Sequence, residues 1–70
     1  MLRQPVQSSN LKSVGYDEHQ EILEIEFISS GIYQYSNVPR EMYNNLMNAP
    51  SKGKFFAQYI KDRFPTKKVA

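Results

Sequence analysis

The residues best suited to chemistry lie in the run Pro50-Ser-Lys-Gly-Lys54, where a serine, a glycine and two lysines follow a proline. A helix that starts at Ser51 would present free N–H groups and a partial positive charge, and Lys52 and Lys54 would add two cations around them. Phosphate is the ligand such a corner suits. The run is not a Walker A loop, because the glycine-rich span and the Ser or Thr after the lysine are both missing. The same residues have a structural use, which is the commoner one: Ser51 caps the helix, Gly53 allows close packing against a neighbouring helix, and the lysines confer solubility. Elsewhere the reactive inventory is sparse. His19 is the sole histidine, in a polar turn beside Asp17 and Glu18, too few ligands for a metal site. Glu24 and Glu26 share a strand face, where a carboxylate pair could divide acid and base roles, but they read as a solvated edge of a sheet. With no cysteine and no assembled nucleophile, base and orienting group, neither enzyme nor cofactor is expected.

Charge is distributed unevenly. Residues 1–38 hold two bases and five acids, a balance of −3, whereas residues 39–70 hold seven bases and two acids, a balance of +5. The seven bases, Arg40, Lys52, Lys54, Lys61, Arg63, Lys67 and Lys68, form the candidate phosphate or nucleic-acid contact set, since such contacts give salt-dependent, sequence-independent affinity. The amino terminus MLRQPVQSSN has neither a basic region leading into an apolar run nor a small-residue cleavage pattern, and no stretch is long enough to span a membrane. A cytoplasmic protein without membrane contact is expected.

Apolar periodicity supplies the elements that must position these residues. Glu21 to Ile28 alternates Leu23, Ile25 and Phe27 against Glu24 and Glu26, the period of a half-buried strand. Leu11 to Tyr16 is a weaker strand, in which Gly15 suggests a bulge or bend. Ser29-Ser30-Gly31 joins the strong strand to Ile32–Tyr35 as a three-residue hairpin loop with glycine last. That loop sets Ile28 opposite Ile32, Phe27 opposite Tyr33, Glu26 opposite Gln34 and Ile25 opposite Tyr35. Both tyrosines then share the buried face, and Gln34 lies beside the glutamates in water. A two-residue loop, Ser30-Gly31, would instead set Tyr33 against Ile28 and Tyr35 against Glu26; the turn chemistry favours the first.

Beyond Val38, Pro39 suits the first helical position, and Met42, Tyr43, Leu46, Met47 and Ala49 gather on one side of a helix that Pro50 ends. A second helix should run from the Ser51 cap to about Phe64, with Pro65 as its stop. Its apolar arc of Phe55, Phe56, Tyr59, Ile60 and Phe64 lies opposite Lys54, Gln58 and Lys61. The predicted fold class is α+β: a three-stranded antiparallel β-meander followed by two helices packed on one face, in the order β-β-β-α-α. Seventy residues make one domain, 1–70, with an ordered core of about 8–65 and flexible ends at 1–7 and 66–70. The expected core is Val14, Leu23, Ile25, Phe27, Tyr33, Tyr35, Met42, Leu46, Phe56, Ile60 and Phe64.

The succession of SVGYD (13–17), GIYQYSNVP (31–39) and YNNLMNAPSKGKFFAQYI (43–60) resembles the KTSC domain, a short family named for its occurrence at the C-terminus of some lysyl-tRNA synthetases. The family's Y-x-Y element falls on Tyr33 and Tyr35, its V-P on Val38 and Pro39, and its A-x-S-x-G-x-x-F stretch on Ala49, Ser51, Gly53 and Phe56. The resemblance covers nearly the whole chain. It implies a small domain of unknown role, for which the synthetase attachment suggests RNA, and it carries over no catalytic residue.

Two functions follow as expectations. One is an RNA or other polyanion-binding module on the basic helical face, in which Tyr33 and Tyr35 are mostly buried and only Tyr16 and Tyr43 remain as exposed aromatics. The other is a protein partner or homodimer, docked through an edge strand or the aromatic helix surface.

Overall fold

The structure is a computed structural model that describes all 70 residues. Seven elements follow one another: β1 (Arg3–Pro5), β2 (Leu11–Asp17), β3 (Ile22–Phe27), β4 (Gly31–Tyr35), α1 (Arg40–Asn48), α2 (Lys52–Tyr59) and β5 (Thr66–Lys68). The strands form one antiparallel sheet in the order β1-β2-β3-β4-β5, with α1 and α2 on one side. The α+β class and the central meander therefore agree with the sequence, but the sheet has five strands, not three. The added edges β1 and β5 come from segments placed outside the ordered core. Neither has an alternating apolar pattern, and each is held by backbone pairing to a neighbour already in place. No helix is long and apolar enough to cross a membrane.

The hairpin register corrects both sequence alternatives. Leu23 faces Tyr35, Ile25 faces Tyr33 and Phe27 faces Gly31, so the connection is Ile28-Ser29-Ser30. This is two residues from the favoured pairing, and a shift of two preserves the side-chain face. Tyr33 and Tyr35 consequently share the helix-facing side with Leu23 and Ile25. Gly31 adopts φ 99°, and a Cβ there would collide with the Ala70 carbonyl oxygen.

The irregularity in β2 falls at Lys12 and not at Gly15. One extra residue lets Leu11 and Val14 face the core while Ser13 faces away. Gly15 has a different purpose, because a Cβ there would lie 2.6 Å from the Leu2 carbonyl oxygen and 3.0 Å from Cγ of Arg3. Its bare surface lets Arg3 lie across the strand. Arg3, Gly15, Glu24, Gln34 and Lys67 occupy one cross-strand row on the face without helices. Along it Arg3 pairs with Glu24, and Gln34 Nε2 donates to Glu24 Oε1 at 2.8 Å. Ser13 Oγ accepts from Arg3 Nε and donates to Glu26 Oε1, both at 3.0 Å. Glu24 is thus 7% exposed, correcting its reading as a solvated edge residue. Arg3 is the cover that the sequence pattern did not reveal.

The fully enclosed core is Leu11, Val14, Leu23, Ile25, Tyr35, Val38, Leu46 and Ile60. Leu11 and Val38 were not expected there, while Phe27, Tyr33, Met42, Phe56 and Phe64 pack around this core only partly buried. Pro39 is the N-cap of α1 with ψ 151°, one residue before the helix and not its first position, and its carbonyl accepts from Met42 N–H at 3.0 Å. Pro50 holds Ala49 in an extended conformation and ends the helix. Ser51 caps α2, its Oγ accepting from Lys54 N–H at 3.4 Å. That helix stops at Tyr59, five residues short of the expected Phe64. A turn follows, with Asp62 at φ 62°, and brings Thr66 opposite Tyr35. Apolar spacing continues through Phe64 because that residue still packs on the core after the helix has ended.

Candidate nucleic-acid interface

The partly buried aromatics define the main groove. Phe27 meets Tyr33 edge-on at 5.6 Å and Phe56 at 5.3 Å between ring centroids, and Tyr35 meets Phe56 at 5.5 Å. Such edge-to-face contacts hold the rings in fixed relative orientations. Between α2 and the β3–β4 hairpin they floor two adjoining hollows. The first, of about 270 Å³, lies between Asn10, the Ile28–Ser30 connection and Gly53. The second, of about 350 Å³, is lined by Tyr33, Tyr35, Asp62 and Thr66. Phe27, Ser30, Phe56 and Lys61 border both, so the two are lobes of one groove with Lys61 at the junction.

Burial, then the charges of Tyr33 and Asp62, push the Tyr35 hydroxyl up to about 12, so this lobe carries a neutral phenol across the physiological range. Lys68 crosses from β5 to place its ammonium 5.9 Å from the Tyr33 ring centroid. The tyrosines expected to be mostly buried are therefore unequal. Tyr35 is enclosed, and Tyr33 is half-buried beside the groove.

The seven bases singled out by sequence do not form one patch. Lys61 is exposed, borders both lobes and makes no ion pair. Lys68 flanks the second lobe through Tyr33. Lys67 points from the opposite face of β5, in the row of Gln34 and Glu24. Lys52 and Arg63 serve helix ends: Lys52 Nζ donates to the Ala49 carbonyl at 3.3 Å, and Arg63 Nε to the Gln58 carbonyl at 3.1 Å. Arg40 pairs with Glu18 at 2.5 Å. Lys54 is exposed on α2. Gly53, expected to admit a neighbouring helix, faces Asn10 and Ser8 instead, and a Cβ there would meet only ordinary contacts from 3.4 Å outward.

A further hollow joins Tyr16, Tyr43, His19 and Arg40. Tyr16 and Tyr43, expected as exposed aromatics, stack on each other at 4.9 Å with 10° between their planes. Tyr16 also donates to the Val38 carbonyl at 2.6 Å, and burial, followed by the charge of Glu21, raises its hydroxyl above the ordinary value. Asp17 Oδ1 accepts from the His19 and Gln20 N–H groups and shapes the turn that carries the histidine.

Sequence reasoning missed Asn10, Asp62 and Thr66 as groove residues and assigned Phe27 and Phe56 wholly to the core. A surplus was visible nonetheless: four phenylalanines and five tyrosines exceed what so short a chain can enclose.

Comparison with known proteins places this geometry in context. A family model for the KTSC domain matches residues 7–64. An uncharacterised protein from Stutzerimonas stutzeri is 48% identical over 61 residues, covering 87% of this chain and 86% of the relative. A lysine–tRNA ligase from Nostoc punctiforme is 40% identical over 58 residues, which span 83% of this chain but 10% of the ligase. A crystal structure of a KTSC domain protein from Yersinia pestis superposes with a TM-score of 0.98 at 46% identity, covering 99% of this chain and 97% of that one.

Proposed function

The chain belongs to the KTSC domain family, and from that premise we propose that it is a non-enzymatic, cytoplasmic RNA-binding module that holds single strands in the groove along α2. One observation carries this reading: an aromatic floor divided into two lobes, with the unpaired cation of Lys61 where they meet. Single-strand sites combine flat stacking surfaces with cations that follow the backbone, and bases in neighbouring lobes would direct their linking phosphate toward that junction. Lys68 extends the positive rim beside Tyr33, and Lys54 is a further exposed cation of α2. The lysine–tRNA ligase relatives, whose names place them with tRNA, support the choice of RNA.

The test is fluorescence anisotropy of a labelled single-stranded RNA of about ten nucleotides. Three phosphate contacts would weaken affinity about twentyfold between ~50 and ~200 mM salt. Lys61→Glu should weaken it further and flatten the salt dependence, whereas Arg63→Glu should act through α2 stability. Binding indifferent to both salt and Lys61 would rule the groove out as an RNA site.

A second reading has its own observation. Phe55 and Tyr59 pack at 4.8 Å on α2, and Tyr59 is 49% exposed, a small apolar surface that suits a protein partner or second copy. Sedimentation equilibrium over a hundredfold concentration range tests it. A mass that rises in the wild type and stays monomeric in Tyr59→Glu would favour this reading.

A further inference from the structure

Resting on the reading of the groove as a single-strand RNA site, we propose that its larger lobe selects guanine and that Asp62 is the residue that reads the base. Asp62 stands in the turn after α2 at φ 62°, a left-handed conformation that aspartate tolerates better than most residues. The turn is tied back to the end of α2 by Arg63, whose N–H donates to the Ile60 carbonyl and whose Nε donates to the Gln58 carbonyl, each at 3.1 Å. Asp62 lines the lobe together with Tyr33, Tyr35 and Thr66, is exposed, and pairs with no cationic side chain. A lone acid among rim cations weakens the hold on phosphate, so its place there calls for a ligand edge that donates.

An ionised carboxylate only accepts, through two adjacent oxygens. Among the four bases, guanine alone presents two N–H donors side by side, N1–H and the 2-amino group, in the spacing of those oxygens. Uracil offers one N–H between two carbonyl oxygens that the carboxylate would repel. Adenine and cytosine each offer one amino group beside a ring nitrogen that only accepts. Phe27, Phe56 and Tyr33 supply apolar surface for the purine rings, and a volume of about 350 Å³ admits them. The Thr66 hydroxyl donates to the Phe64 carbonyl at 2.9 Å, which leaves its oxygen as a further acceptor. Lys61 and Lys68, the cations on either side of the lobe, disfavour a positively charged peptide side chain as the alternative occupant.

The decisive experiment compares pentamers UUGUU, UUIUU, UUAUU, UUCUU and UUUUU by anisotropy competition against the wild type and Asp62→Asn. Asparagine also tolerates the left-handed region, and a thermal melt confirms that the variant folds. Guanine should bind about tenfold more tightly than uracil or adenine, with inosine between them because it lacks the 2-amino group. In Asp62→Asn that ranking should collapse while affinity for UUUUU rises, because the repelling charge is gone. Equal binding of all pentamers, or a guanine preference that survives in Asp62→Asn, overturns the assignment of Asp62. If the pentamers still depend on Lys61, the groove itself then stands as an RNA site. Failure of every pentamer to bind overturns both.

Discussion

Glu24 illustrates how opposing effects at one residue decide its charge. Burial alone would push its carboxyl up, but hydrogen bonds from Gln34 and Arg3, together with the guanidinium charge, outweigh this and hold it below the ordinary carboxylate range. A lowered folded value means that the unfolded chain takes up the proton first on acidification. The stability contributed is therefore complete above the ordinary value of 4.5 and is lost as pH falls through the lowered folded value. Glu24→Gln should cost about 2 kcal/mol at neutral pH, and its deficit should shrink toward zero in the acid limb, as followed by urea denaturation at successive pH values. Gly53→Ala tests the opposite kind of site. It removes backbone freedom in the first turn of α2 with space for the methyl, so it should raise stability by about 0.5 kcal/mol, measured as a higher urea midpoint at unchanged slope.

Among the elements, strands and helices with an alternating or amphipathic pattern were legible in the sequence, and those defined by tertiary pairing were not. Leu23, Ile25 and Phe27 disclosed β3, and Pro50 with Ser51 disclosed the break between the helices. Arg3–Pro5 and Thr66–Lys68 carry no comparable signal, because an edge strand needs only backbone donors and acceptors beside an existing strand. The hairpin register was misplaced by two residues, yet the tyrosine faces were right, since faces depend only on parity. The early end of α2 escaped notice for a related reason: apolar spacing reports which residues reach the core and not the backbone path that takes them there. β5 permits a direct check. Removal of residues 66–70 should cost about 1–2 kcal/mol through lost backbone bonds, a fall in Tm of roughly 5–15 °C. Gly31→Ala should then be less damaging in the shortened chain than in the full one, because the Ala70 carbonyl it would strike is gone, while the strain of φ 99° remains.

The whole molecule presents two contrasting sides of its architecture. On the open face of the sheet, Arg3, Glu24, Gln34 and Ser13 satisfy one another, leaving little unmatched chemistry to recruit a ligand. Along α2, aromatic rings and unpaired Lys61 and Asp62 remain available. Counting charge along the chain pointed to the basic half, but it could not show that Lys52, Arg63 and Arg40 are engaged within the fold while Lys61 is free. Nor could it show Phe27 and Tyr33 meeting Phe56 from distant parts of the chain, because that groove exists only after the helix closes on the hairpin. The most direct measurement is an NMR titration of isotope-labelled protein with a short single-stranded RNA at low salt, following backbone amides and aromatic side chains. The predicted result is shifts at Asn10, Phe27, Tyr33, Phe56, Lys61 and Asp62 that fade as salt is raised, with Ser13, Glu24 and Gln34 unmoved. Shifts centred on the sheet face, or none at low salt, would contradict an RNA site along α2.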